Sequence, residues 1–102
     1  MPKFVKMAVL DELPVGAAKE VEFEGRVYAL FNVDGKLACI DGLCPHQGGP
    51  LADGMLEGCK VACPWHGWEF DLDTGVELCR EKPTKVRIYE TMIEGDDVFV
   101  LA

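Results

Sequence analysis

The fold is decided by two short stretches, CPHQGG at residues 44–49 and CPWHGW at residues 63–68. They form the pattern C-x-H, sixteen residues, C-x-x-H, and they contain both histidines of the 102-residue chain. Proteins use cysteine and histidine to bind soft and borderline metals. The side chains able to bind such a metal here are two cysteines and two histidines: Cys44, His46, Cys63 and His66.

Two kinds of centre fit this set of side chains, a mixed-ligand [2Fe–2S] cluster and a structural zinc ion. In each stretch a cysteine precedes a histidine, so each loop would supply one thiolate and one imidazole. Zinc sites more often take both cysteines from one short segment and both histidines from another. The order of the residues therefore favours the iron–sulfur cluster, and zinc remains the alternative.

The pattern resembles the Rieske family, in which two cysteines hold one iron and two histidines hold the other. The resemblance covers nearly the whole chain. CPHQGGPLADG and CPWHGWEFDLDTG are similar to the family's cluster-binding loops, and KPTKVRIYE…EGDDVFV is similar to its third loop and closing hairpin. It implies one [2Fe–2S] cluster per chain, with Cys44 and Cys63 on one iron. His46 and His66 would hold the other iron, and Pro83 would lie in the third loop.

The alternation of apolar and polar residues predicts short strands and no helix longer than about one turn. Turns are expected at Gly25-Arg26 and Asp34-Gly35, and the Gly- and Pro-rich segment 42–54 is expected to be mostly loop. The predicted strands are 3–9, 19–24, 27–33, 36–41, 58–62, 68–72, 76–79, 86–93 and 98–101.

A chain of this length supports one domain, 1–102. The resemblance implies an all-β fold, a Rieske-type antiparallel β-sandwich with an inserted cluster-binding subdomain. The base would consist of about 1–41 and 84–102, and the subdomain of about 42–83.

The formal net charge is −8. An acidic chain is a poor partner for nucleic acid or for an anionic membrane, whereas a basic docking surface on a redox protein would suit it. The alternative is that the acidic residues serve only solubility. The opening residues show no signal peptide, and no apolar run approaches the length of a membrane helix. We therefore expect a monomer in the cytoplasm, with no membrane contact.

Features absent from the motif indicate a low reduction potential. High-potential members of the family carry a disulfide between the two loops, and the matching positions here are Gly49 and Trp65. Hydroxyl groups that would donate to the sulfurs are replaced by Trp68 and Phe70. Fewer donors stabilise the reduced cluster less, so we expect a potential near about −150 mV.

Several other residues have a predicted role in or near the loops. Pro45 and Pro64 would stiffen them, and Gly48, Gly49 and Gly67 would allow close approach to the cluster. Trp65 is expected either to dock a partner or to shield the cluster, and Trp68 and Phe70 are expected to pack beneath it. The remaining cysteines are expected to be reduced and buried: Cys39, Cys59 and Cys79.

No catalytic group is evident, since the chain lacks serine, spare histidines and a dinucleotide fingerprint. The resemblance implies an electron-transfer ferredoxin rather than an enzyme. It would carry electrons from an NAD(P)H-dependent flavoprotein reductase to the terminal component of a ring-hydroxylating oxygenase. The alternatives are the small subunit of an assimilatory nitrite reductase, a stand-alone Rieske protein with another acceptor, and a zinc-stabilised interaction module.

Overall fold

The computed structural model describes residues 2–45, 48–65, 67–78 and 85–102. These residues form ten short strands and two 3₁₀ turns at Leu10–Glu12 and Leu51–Asp53. The strands are β1 Phe4–Val9, β2 Ala18–Phe23, β3 Arg26–Val33, β4 Lys36–Asp41, β5 Met55–Glu57, β6 Lys60–Ala62, β7 Glu69–Asp71, β8 Ile88–Tyr89, β9 Thr91–Glu94 and β10 Asp97–Leu101. The predicted all-β class is confirmed.

The strands form three antiparallel sheets, in the orders β1-β10-β9, β2-β3-β4-β8 and β5-β6-β7. The first sheet joins the two ends of the chain, with Phe4 opposite Leu101. In the third sheet, β5 and β6 come from the segment between the two cysteine loops, and β7 directly follows the second loop. Cys63 directly follows β6, so this small sheet positions the second loop.

Tight turns set the register of the second sheet. Asp34 and Gly35 have φ angles of 53° and 93°, the left-handed conformation that a two-residue hairpin needs. This turn was predicted correctly. The preceding turn lies at Glu24-Gly25, with φ angles of 50° and 79°, so the prediction of Gly25-Arg26 was one residue late.

Three strand predictions need correction. Segment 76–79 was predicted as a strand, but Val76 and Glu77 make only isolated bridges. Strand β5 was missed because its three residues lie in a segment rich in turn residues. The strand predicted at 86–93 is broken at Glu90, with β8 paired to β4 and β9 paired to β10.

Two apolar clusters form the core. One lies under the cysteine loops and includes Phe31, Ile40 and Phe70, all fully buried. The other packs the terminal sheet against β3 and β4 through residues such as Leu30 and Val98. Among the described residues, no helix is long and apolar enough to cross a membrane.

Candidate metal centre

The two predicted cysteine ligands lie in one apolar cluster. Cys44 and Cys63 are 4% and 2% exposed, and both belong to the cluster that contains Leu51, Val61 and Phe70. They come from loops that are nineteen positions apart in the chain. The fold therefore brings the two thiols into the same water-poor part of the molecule.

Both cysteines begin the same closed turn. In each loop the cysteine N–H donates to the carbonyl five residues later, and the cysteine carbonyl accepts from the N–H four residues later. The bonds are Cys44 N to Gly49 O, Gly48 N to Cys44 O, Cys63 N to Trp68 O and Gly67 N to Cys63 O, each 2.8 Å long. Each cysteine therefore begins a turn with the same backbone hydrogen bonds.

The glycine four residues after each cysteine is needed for this turn. Gly48 and Gly67 have φ angles of 75° and 71°, which side chains with a Cβ rarely adopt. Nothing lies within 4 Å of a Cβ added at either position, so the requirement is conformational rather than steric.

Gly49 brings the first loop into contact with the second. A Cβ built at Gly49 would lie 2.8 Å from Cys63 Sγ and 3.1 Å from ring carbons of Trp65. A side chain at position 49 would therefore require Cys63 or Trp65 to shift. The two loops are therefore packed directly against each other at the sulfur of Cys63.

The same contact explains how the loops are joined without a disulfide. The positions matched to the bridging cysteines of high-potential members, Gly49 and Trp65, are adjacent in space, and the indole of Trp65 covers the glycine. Trp65 is 55% exposed. Phe70 is fully buried in the apolar cluster that contains Cys44 and Cys63, and Trp68 packs against that apolar cluster. Both residues therefore contribute to the core, and their place beneath the [2Fe–2S] cluster stays a prediction.

His46, Gln47, His66, Cys79 and Pro83 lie outside the described residues. The predictions for both histidines, for the tip residue Gln47 and for the third loop are therefore untested by the geometry. What the structure does show suits the predicted group. Two buried thiols at the start of matched turns, each followed in sequence by a histidine, form a donor set that a [2Fe–2S] cluster takes.

The other described cysteines behave differently from one another. Cys39 is 2% exposed, and burial raises the pKa of its thiol to about 12. Cys59 was predicted to be buried and is exposed, because it lies in the turn between β5 and β6. Partial desolvation and then a hydrogen bond with the Asp73 carboxylate raise the pKa of the Cys59 thiol. All four described cysteines are free of disulfides.

Sequence reasoning missed a polar network at the base of the first loop. Asp41 ends β4, and its Oδ1 accepts a hydrogen bond of 2.7 Å from the Tyr89 hydroxyl. Its Oδ2 accepts one of 2.9 Å from the backbone N–H of Arg87. The guanidinium of Arg26 donates to the Tyr89 oxygen at 3.0 Å. No local pattern reveals this contact, since its members come from three strand regions.

Comparison with known proteins decides the family. The family model described as the Rieske [2Fe-2S] domain matches residues 3–90. This chain belongs to the Rieske family. The resemblance noted from the sequence is thus confirmed, and the family's cofactor is the [2Fe–2S] cluster.

The relatives are ferredoxins. The ferredoxin component of a naphthalene 1,2-dioxygenase system from Pseudomonas aeruginosa is 36% identical over 98 residues, covering 96% of this chain and 94% of that protein. A ferredoxin from Sphingomonas yanoikuyae B1 has a TM-score of 0.89 at 28% identity, covering 98% of this chain and 99% of that one. The Rieske protein described here is an electron carrier of the same kind.

A further solved structure is a complex of reduced oxygenase and oxidised ferredoxin in carbazole 1,9a-dioxygenase. The matched chain has a TM-score of 0.88 at 22% identity, covering 96% of this chain and 92% of that one. At this identity the likeness shows the shared fold alone.

Proposed function

We propose that this Rieske ferredoxin carries single electrons from an NAD(P)H-dependent flavoprotein reductase to the terminal oxygenase of a ring-hydroxylating dioxygenase system. The observation that carries the proposal is the pair of matched cysteine loops with both thiols buried against one core. The relative from the naphthalene dioxygenase system, which matches along almost the full length of both chains, supports the choice of partners.

The ligand set we propose is Cys44 and Cys63 on one iron, with His46 and His66 on the other. When bound, the [2Fe–2S] cluster accepts and releases one electron. The residues of the chain exclude water from the sulfurs and hold the loops together. Phe70 lies in the apolar cluster without a hydroxyl to offer, which supports a reduction potential near about −150 mV.

The proposal also includes the division of the chain into a base and a subdomain, the oligomeric state and the localisation. The base consists of about 1–41 and 84–102, and the cluster-binding subdomain of about 42–83. The protein acts as a monomer in the cytoplasm, where a reductase that uses NAD(P)H would reach it. Analytical ultracentrifugation of the holoprotein tests the monomer directly.

Metal analysis tests the ligand set. The purified protein should contain about two iron and two sulfide per chain and, after reduction with dithionite, give the rhombic EPR signal of a mixed-ligand cluster. Cys44→Ser or His66→Ala should abolish that signal. Cys59→Ser, a change in an exposed cysteine of the β5–β6 turn, is the matched control and should leave it unchanged. A colourless protein with one zinc ion would refute the proposal.

Electron transfer tests the partners. The holoprotein should be reduced by NADH only with a flavoprotein reductase present, and should then support turnover of a ring-hydroxylating oxygenase. Oxygenase turnover that fails, together with electron transfer to a nitrite reductase large subunit, would assign the protein to nitrite reduction instead.

A further inference from the structure

A groove of about 370 Å³ lies beside the first cysteine loop. Its walls include Leu43 and Pro45, the two neighbours of Cys44 in the chain, together with Arg26, Asp41 and Lys85. Leu43 is 46% exposed, although its neighbour Cys44 is only 4% exposed. The groove therefore combines an apolar edge with charged side chains at the foot of the ligand loop.

The charge of this groove differs from that of the whole chain. The protein carries a net charge of −8, but the described residues that line the groove include two cations and one carboxylate. Most other described lysines are already paired with acidic side chains: Lys6 with Asp97, Lys19 with Glu12, Lys36 with Asp73 and Lys60 with Glu69. Within the described ranges Lys85 makes no ion pair, so its charge is available to an outside group.

The one carboxylate of the groove is already held inside the protein. Asp41 accepts hydrogen bonds from the Tyr89 hydroxyl and the Arg87 backbone N–H, one on each oxygen. Arg26 donates to the Tyr89 hydroxyl, which places its guanidinium on the groove wall, and the side chain remains exposed. A second carboxylate entering from outside would meet Arg26 and Lys85, whose two positive charges exceed the one negative charge of Asp41.

We propose that the groove is a docking site for an acidic side chain of the terminal oxygenase, held by Arg26 and Lys85, with an adjoining apolar residue packed against Leu43 and Pro45. The inference rests on the proposed function and names a contact surface for that partner. The net negative charge speeds encounter with a basic face, and a local contact of opposite sign then selects one orientation. That orientation brings the partner to the chain segment that includes Cys44.

The test compares charge reversal inside and outside the groove. Lys85→Glu reverses a charge in the groove. Lys3→Glu makes the same change in charge just before β1, which belongs to the terminal sheet and does not line the groove. Arg26 is left intact because it also contacts Tyr89. Stopped-flow oxidation of the reduced holoprotein by the oxygenase it serves should be about 5- to 10-fold slower for Lys85→Glu at low salt, against less than about 2-fold for Lys3→Glu. The difference should disappear near about 1 M salt, where the Debye length is about 3 Å.

Ferricyanide provides a second probe that needs no partner protein. Lys85→Glu should slow its reduction more than Lys3→Glu does, since the local cation attracts the anion near the ligand loop. Visible spectra confirm that each variant retains its cluster. Equal rates for the two variants in either assay would overturn the docking proposal. If wild-type holoprotein reduced no oxygenase at all, the proposed function would fail. The proposal that an oxygenase side chain binds in the groove would then fail with it.

Discussion

Gly49→Ala offers a sharp test of the contact between the two loops. The new Cβ would lie 2.8 Å from Cys63 Sγ, whereas ordinary contacts of this kind are about 3.5–4.0 Å. The sulfur or the loop must therefore move by about 0.7 Å or more. Gly49 does not have a positive φ angle, so the backbone itself tolerates alanine. The perturbation is steric, with its shortest contact at the sulfur of one proposed ligand and longer contacts of 3.1 Å at the Trp65 ring.

The effect of Gly49→Ala on cluster binding depends on whether the Cys63 sulfur is free to move. A thiol in the protein without metal can rotate away from the new methyl group, but a thiolate bonded to iron cannot. Overpacking costs about 1–3 kcal/mol, which corresponds to about a 5- to 150-fold change in an equilibrium. Gly49→Ala should therefore weaken retention of the cluster by that factor, and should change the stability of the metal-free protein much less.

The assay is the loss of visible absorbance from reconstituted protein in excess chelator, with iron content measured at intervals. Gly58→Ala is the matched control, because Gly58 has a φ angle of 57° and open space around its missing Cβ. That variant strains a turn by about 1–2 kcal/mol without touching a sulfur. If Gly49→Ala held its cluster as long as Gly58→Ala, the proposed close packing of the loops at Cys63 would be refuted.

Three further predictions concern the scaffold. Phe70→Ala should lower the free energy of unfolding by about 3–5 kcal/mol in denaturant titrations, because the ring is fully buried, and Phe4→Ala, at a 38% exposed position, should cost clearly less. Asp41→Asn should cost about 1–2 kcal/mol in the same titration, since a charged acceptor for the Tyr89 hydroxyl is lost, and an unchanged midpoint would count against the network. The Cys39 thiol has an ordinary pKa of 9.0 and a folded pKa of about 12, so its contribution to stability is complete below pH 9 and is lost as the pH rises from 9 to 12. Melting temperatures across that range should fall less steeply for Cys39→Ala than for the wild type.

The sequence predicted the elements whose signals are local. The Asp34-Gly35 hairpin was found because two residues with positive φ angles are needed at adjacent positions, and Asp-Gly supplies them. The spacing of the motif predicted Cys44 and Cys63 as ligands of one centre, and the structure places both in one buried apolar cluster. Both kinds of signal are contained within a few consecutive residues.

Contacts between distant segments could not be predicted in the same way. No local sequence pattern around Gly49 predicts that this residue packs against the sulfur of Cys63. The exposure of Cys59 depends on a three-residue strand, β5, which is too short for its alternation to be recognised. The network around Asp41 joins residues separated by 46 and 48 positions, so it becomes visible only in the folded chain.

The break at Glu90 shows how one segment stabilises both cysteine loops. Alternation in 86–93 suggests one strand, yet β8 joins the sheet that leads into the first loop and β9 joins the terminal sheet. Just before β8, the N–H of Val86 donates to the carbonyl of Gly75, which lies beyond the second loop. Residues 85–89 thus contact both β4, which leads into the first loop, and Gly75, which follows the second loop. Substitutions in this segment should therefore disturb the two loops together rather than one at a time.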